Sequence, residues 1–246
     1  MKGHLYEMYF FDTSYFIIIP ALILSLWASS RVNSTFNKYS RIGSRNGLTG
    51  AQAARKVLDS HGLYHVQIEY VRGHLSDHYD PSTQTLRLSD SVYGNTSTAA
   101  IGVACHEAGH AIQHAEEYAP LKLRQAIIPI TNIGSKIGIY LFMIGFLISI
   151  FAGTQTIFGM GMAWAGIALF SFTVVFQLIT LPTEFNASSR ALEEIERSGI
   201  LYADEIPSAK KVLNAAAMTY VAALAVSITQ LLRLVVLISR FSNRRD

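Results

Sequence analysis

The 246-residue sequence predicts a mainly α membrane protein that carries a small α+β domain, and three observations point to it. Half of the residues are hydrophobic while 15% are charged, against about 25% charged in an ordinary soluble domain. The apolar residues gather in long runs, as bilayer-crossing helices require. Between the first two runs lies a polar stretch whose alternating strands and helix caps read as a folded unit. The formal charge of +3 is small and dispersed, which argues against a nucleic-acid partner. The single cysteine, Cys105, excludes an internal disulfide framework and a cysteine-based zinc cage.

Four segments reach or approach the roughly 20 residues that a spanning helix needs: about 15–30 (from 10 on a generous count), 127–151, 157–181 and 213–238. The first follows Glu7 and Asp12 and has no cationic leader beyond Lys2, so it reads as a retained anchor rather than a signal peptide. Lysine and arginine then orient the chain. Arg31, Lys38, Arg41, Arg45, Arg55, Lys56, Arg72, Arg87, Lys122 and Arg124 follow the first span, and Arg190, Arg197, Lys210 and Lys211 follow the third. The link at 152–156 carries none, so both polar stretches belong on the cytoplasmic side. Arg240, Arg244 and Arg245 oppose a fourth full crossing, and Gln230 and Arg233 interrupt the last apolar run. That segment is therefore a span, a re-entrant helix or an interfacial one. Arg233 calls for an ion pair, a route to the interface or a functional contact. Gly134 and Gly138 permit close helix contact, and an oligomer is allowed by them.

In the polar stretch, Thr49-Gly-Ala-Gln52 has the spacing of a capping box, in which a hydroxyl and an amide satisfy free N–H groups. A helix should follow to about Ser60, ended by Gly62. Val66, Ile68 and Tyr70 alternate, as do Leu86 and Leu88, so a β-hairpin with a long polar connection is expected between them. A helix over about 97–118, ended before Pro120, comes next. Its apolar stretch is too short to span, which places it within the cytoplasmic part.

That helix carries His106-Glu107-Ala108-Gly109-His110, an H-E-x-x-H motif. Histidines at i and i+4 lie one above the other on one helix face. Both imidazoles can then reach one metal ion, at about 2.0–2.1 Å for zinc. Glu107 falls beside that ion rather than on it, which suits a general base. Catalytic zinc usually takes a third protein ligand. His114 at i+8 is displaced by about 12 Å along a continuous helix, so it reads as a surface or cleft histidine. Glu184 is the better candidate, next to Pro182 where the third span ends. Ser188, one turn on, could hydrogen-bond a ligand. Arg190 could hold a substrate carbonyl or an acidic neighbour. His74, Asp77, His78 and Asp80 form either a second metal site or a solvated loop, with Asp77 or His78 leaning into the cleft as a middle option. Cys105 reads as buried and inert.

The text Leu75-Ser76-Asp77-His78-Tyr79-Asp80-Pro81, followed by Thr85-Leu86-Arg87-Leu88-Ser89, resembles the YugP-type neutral zinc metallopeptidases of bacterial membranes, as do residues 106–113 and Ala119-Pro120-Leu121. The resemblance covers nearly the whole chain. It implies a membrane-embedded zinc peptidase with His106, His110 and Glu184 as ligands to Zn2+, Glu107 as base, and a polypeptide as substrate. It also implies a multi-pass protein of the bacterial inner membrane, where membrane proteins are among the candidate substrates and the lipid bilayer is a partner. More distantly, residues 184–188 look like the third-ligand helix of the HtpX and CAAX prenyl protease group, whose members usually have an Asp where this chain has Ser188.

The expected organisation is an anchor at 1–30, a zincin-like α+β part at 31–125, a transmembrane hairpin at 126–182, a third-ligand helix at 183–211 and a last helix with a basic tail at 212–246. An extended substrate could add to the exposed edge of the strand at 86–89. The alternative function is a non-catalytic membrane scaffold with a structural or degenerate metal site. Against it, Glu107 has no purpose in a structural site, and such sites usually have four protein ligands. An intramembrane protease is disfavoured by Glu116 and Glu117, and a transporter has only Gln230 and Arg233 behind it.

Overall fold

The structure, a computed structural model, describes residues 13–152 and 156–243. After a short 3-10 helix (Thr13–Ile17) come helix α1 (Ile19–Tyr39), helix α2 (Gly50–Ser60), strands β1 (Gln67–Val71), β2 (His78–Asp80) and β3 (Thr85–Ser89), and helix α3 (Thr98–Ala115). Three long helices follow: α4 (Ala119–Phe151), α5 (Ile157–Arg197) and α6 (Ile206–Asn243). The chain divides into two compact units, one of residues 27–123 with 179–220, the other of the remaining described residues.

The first unit is the α+β part. Helix α2 starts on the capping box read from the sequence, with Gln52 N–H donating to Thr49 Oγ1 and Thr49 N–H to Gln52 Oε1. Ser97 caps α3 with a single bond of this kind, accepting from Ala100 N–H at 3.2 Å. Helix α3 is built largely of small or apolar residues, and most of it is buried. Its Ile101 and Ile112 join Val57, Leu58, Leu86, Leu88, Ile195 and Ile200 in the core. Each such side chain contributes about 1.5–3 kcal/mol on full burial, so this core carries the unit.

The sheet differs from the expected hairpin. Strand β3 is central: it pairs in parallel with β1 and antiparallel with β2. The long connection after β1 contains β2, so the chain reverses twice and β3 returns parallel to β1. The tight turn lies between β2 and β3, where Asp80 accepts from the Ser82 and Thr83 hydroxyls and from Arg87. Because both edges of β3 are paired, a substrate strand cannot add there. The free edges belong to β1 and β2.

Helix α3 also ends earlier than Pro120 would require. Tyr118 N–H bonds to Gln113 O at 2.9 Å and Glu117 N–H to His114 O at 3.1 Å, with Glu117 at φ 55°. This is the paired closure of a Schellman motif, formed here without glycine. The third expected span and the helix carrying Glu184 are one continuous helix, α5, with Pro182 inside it.

The second unit is the apolar one. Gly134 and Gly138 of α4 face α5, where an added Cβ would come within 2.7 Å of Leu169 O and 2.9 Å of Gly166 O. The glycine pair thus serves contact within the chain. Phe142, Phe146, Phe170, Leu234 and Ile238 fill the space between α4, α5 and α6. Ile130, Ile133, Ile137, Tyr140, Ile144 and Leu147 stand exposed along α4. An exposed stripe of that size costs far too much in water but nothing in hydrocarbon. Among the described residues, α4, α5 and residues Ile206–Phe241 of α6 are long and apolar enough to cross a membrane. Helix α1, on which the first expected span falls, is not among them: its apolar stretch gives way at Ser29-Ser30-Arg31. Lys2, Glu7, Arg244 and Arg245 lie outside the described residues. Arg233 lies over the Tyr15 ring, 3.8 Å from its centroid.

The β2–β3 turn gives a pH test. The Ser82 hydroxyl, then Arg87 and Thr83, hold Asp80 well below the usual carboxylate range. A group with a depressed folded pKa stabilises fully above its unfolded value of about 3.9 and loses that contribution as pH falls through the folded value. Asp80→Asn should therefore lower the thermal midpoint at pH 7 in detergent, and the gap from the parent should narrow as pH falls below about 4. A gap indifferent to acid would contradict the turn's role.

Candidate metal centre

Helix α3 presents His106 and His110 on one face, their ring centroids 4.8 Å apart and their planes at 82°. Glu184 reaches them from α5. Its Oε2 lies 3.3 Å from His106 Nε2 and 3.5 Å from His110 Nε2. One donor atom from each of the three residues falls within 4.8 Å of the others. Two bonds of 2.0–2.1 Å meeting at the tetrahedral angle put their donor atoms about 3.3 Å apart. The spacing and the nitrogen–nitrogen–oxygen donor set therefore fit a zinc ion. Glu184 is 2% exposed and His110 9%.

The outer ring nitrogens are tied back. His110 Nδ1 donates to Gln113 Oε1 at 3.0 Å, and Gln113 Nε2 in turn donates to Thr183 O and Asn186 Oδ1. Gln113 thus bridges α3 to α5 and leaves Nε2 of His110 turned toward Glu184 with its lone pair unprotonated in the neutral ring. His106 Nδ1 meets Ser188 Oγ at 3.1 Å, which orients the ring, the hydroxyl being able to donate or accept. Burial disfavours a charged His110 ring, yet Glu184, helped by Glu107 and Gln113, outweighs it and raises the pKa. Protons and a metal ion therefore compete for the same point.

Two backbones must meet closely for this to work. An added Cβ on Gly109 would lie 2.7 Å from Ala187 O. The glycine inside the motif is what lets α3 lie against α5 three residues beyond Glu184.

Glu107 sits beside the trio and not in it. Its Oε2 accepts the backbone N–H of Tyr79 at 3.0 Å. The Tyr79 hydroxyl meets His114 Nδ1 at 2.9 Å, so one residue of edge strand β2 pins α3 at two levels. His114 is thereby occupied away from the trio. A cavity of about 180 Å³ opens here, lined by His106, Glu107, Glu184 and Ser188 and, on its apolar side, by Val103 and Leu213 among others.

The remaining candidates separate. Asp77 lines the cavity, its carboxylate held by Ser89 N–H at 2.7 Å and Ser89 Oγ at 3.0 Å. Burial raises its pKa against those two bonds, and Glu107 adds to the rise. His78 is exposed and bonds to Ser76 O, while His74 stacks edge-on against Phe36. With Asp80 engaged in its turn, the loop cluster does not close into a donor group among the described residues. Arg190 finds an acidic neighbour: Nη1 lies 2.6 Å from Glu116, and Nε donates to Asn186 Oδ1. Cys105 is buried, with its pKa pushed up by that burial. Sequence reasoning assigned no role to Gln113 or Tyr79. Gln113 could have been read from its i+3 spacing to His110. Tyr79 acts through a tertiary contact with no local signature.

Buried imidazole and carboxylate donors, a glutamate beside them and helices of bilayer length define the class: a membrane protein built around a metal-type site. A family model described as "Putative neutral zinc metallopeptidase" matches residues 14–239, and the chain belongs to that family. It is 49% identical over 231 residues to the "Putative membrane protease YugP" of Bacillus subtilis (strain 168), covering 94% of this chain and 97% of that relative. No solved structure matches it.

Gly109→Ala separates the helix crossing from local propensity. Alanine favours an isolated helix by about 0.8–1.0 kcal/mol, yet here it pushes against backbone. The variant should bind zinc at least about tenfold more weakly, about 1.4 kcal/mol, by competition with a chelating dye. Unchanged affinity would show that the close approach is dispensable.

Proposed function

We propose that this chain is a membrane-embedded zinc-dependent endopeptidase, with its site at the cytoplasmic face of the bacterial inner membrane. The convergence of His106, His110 and Glu184, with Glu107 anchored alongside, carries this reading. The two imidazole Nε2 atoms and the Glu184 carboxylate would hold the ion. Zinc, when bound, supplies Lewis acidity that acidifies water and polarises a carbonyl.

Glu107 does the proton work. Tyr79 N–H fixes one of its oxygens, and the other takes the proton from the attacking water as the new C–O bond forms. Glu107 then gives that proton to the amine as the C–N bond breaks. Gln113 Oε1 selects the His110 tautomer by accepting from Nδ1–H, and Ser188 orients the His106 ring, as do the hydrogen-bonded partners of ligand histidines elsewhere. Asp77 borders the cleft without entering the proton transfer, and Arg190 braces α5 through Asn186 and Glu116. The apolar cleft wall, including Val103, Leu213 and Ala216, accepts an uncharged side chain of the polypeptide next to the scissile bond.

The positive charge of the polar stretches supports cytoplasmic placement. The apolar start of α1, shorter than a full span, would serve as an anchor at the membrane. A scaffold with a degenerate site leaves the Tyr79–Glu107 bond without purpose.

Glu107→Gln should keep zinc and the thermal midpoint in detergent while lowering cleavage of casein or a membrane-protein substrate by at least about a hundredfold. The residual activity of the parent should vanish with a chelator and return with zinc. Full turnover by Glu107→Gln would end this mechanism.

A further inference from the structure

A second cavity, of about 420 Å³, lies within the α+β unit between α1 and the start of α6. Its volume is within the range of small-molecule sites, roughly 300–1,000 Å³. Arg31, Lys38 and Lys211 line it, with Ser34 and Asn214 as neutral hydrogen-bonding groups, and no carboxylate does. The ammonium groups of Lys38 and Lys211 lie 5.4 and 5.8 Å from the centroid of the same ring, Tyr39. Among the described residues none of the three cations forms an ion pair, whereas Arg45, Arg55, Arg87, Arg190 and Arg197 all do. All three are exposed and screened by water, and an anion placed among them gains attraction from each.

Hydropathy says where that anion comes from. On α1 the apolar stretch ends at Ala28, just before Arg31; on α6 it begins at Val212, just after Lys211. The cavity therefore sits at the polar boundary of both helices. Trp27, half exposed, marks the same level, and with Met218 it supplies an apolar rim. Tryptophan gathers at membrane–water interfaces, and basic clusters just cytoplasmic of an apolar helix attract anionic lipid. A soluble phosphate would gain from the cations but not from that rim.

We infer that this cavity binds the headgroup of an anionic phospholipid of the surrounding bilayer, through Arg31, Lys38 and Lys211. Adjoining faces of the same two helix segments, at Val32 and Phe36 of α1 and at Val212 and Leu213 of α6, wall the candidate active-site cleft. A lipid held here braces that wall. The binding itself is independent of whether the cleft hydrolyses peptides.

The test uses the full chain in neutral detergent, titrated with phosphatidylglycerol or phosphatidylcholine and read by native mass spectrometry. The parent should retain phosphatidylglycerol in preference to phosphatidylcholine. The triple variant Arg31→Gln, Lys38→Gln, Lys211→Gln should lose phosphatidylglycerol affinity by at least about tenfold. A control of equal charge loss outside the cavity (Lys56→Gln, Arg72→Gln, Lys210→Gln) should stay within about twofold of the parent. The charge-keeping variant Arg31→Lys, Lys38→Arg, Lys211→Arg should still bind. Equal retention of the two lipids, an equal loss in the control, or loss in the charge-keeping variant would overturn the inference. So would displacement of the lipid by excess inorganic phosphate, which would assign the cavity to a free anion.

Discussion

The burial of one carboxylate against two imidazoles is the interaction on which the rest of this structure depends. Removing a charged carboxylate from water costs several kcal/mol even after the surroundings relax, and Glu184 is 2% exposed. Neutral imidazoles cannot offset that; positive charge at the point between the three donors can. A proton on an imidazole is one such charge, and Glu184 favours it by raising the His110 pKa against burial. A divalent ion would supply it better, because it could engage all three donors at once. The outer hydrogen bonds to Gln113 and Ser188 are arranged for either case, since both leave the Nε2 atoms turned inward.

Two constraints hold the donors there. Gly109 lets α3 and α5 meet backbone to backbone, and Gln113 ties the same two helices by side chain. The small sheet then does a separate job. Its edge strand β2 fixes Glu107 through a main-chain N–H and His114 through the Tyr79 hydroxyl. The fold thus builds the metal-type trio at a helix crossing and anchors the neighbouring glutamate of α3 to a strand. These are rigid elements, and a chemical site needs groups held within about 0.5 Å.

What could be read from the sequence was local or periodic. The Thr49–Gln52 box and the paired histidines follow from helical spacing alone, and both lie where that spacing puts them. Apolar runs marked α4, α5 and α6, because a bilayer demands length and hydropathy of any helix that crosses it. Non-local features were not legible. Alternation at Ile68–Tyr70 and at Leu86–Leu88 identifies strands but not their relative direction, and the chain chose a parallel pair with β2 interposed. Glu117 ends α3 in the left-handed region without glycine, so no residue type announced that stop. The third span and the helix of Glu184 read as two elements meeting at Pro182, yet one continuous α5 runs through it. Tyr79 gains its role from two contacts made across the sheet–helix junction, which no spacing in the chain encodes.

The central claim is most directly tested by diffraction from the zinc-loaded protein at the zinc absorption edge. The account predicts a single anomalous peak about 2.0–2.2 Å from His106 Nε2, His110 Nε2 and one Glu184 oxygen, with Glu107 beside it. A peak bound by the histidines while the Glu184 carboxylate lies elsewhere, or no peak at this helix crossing, would contradict it.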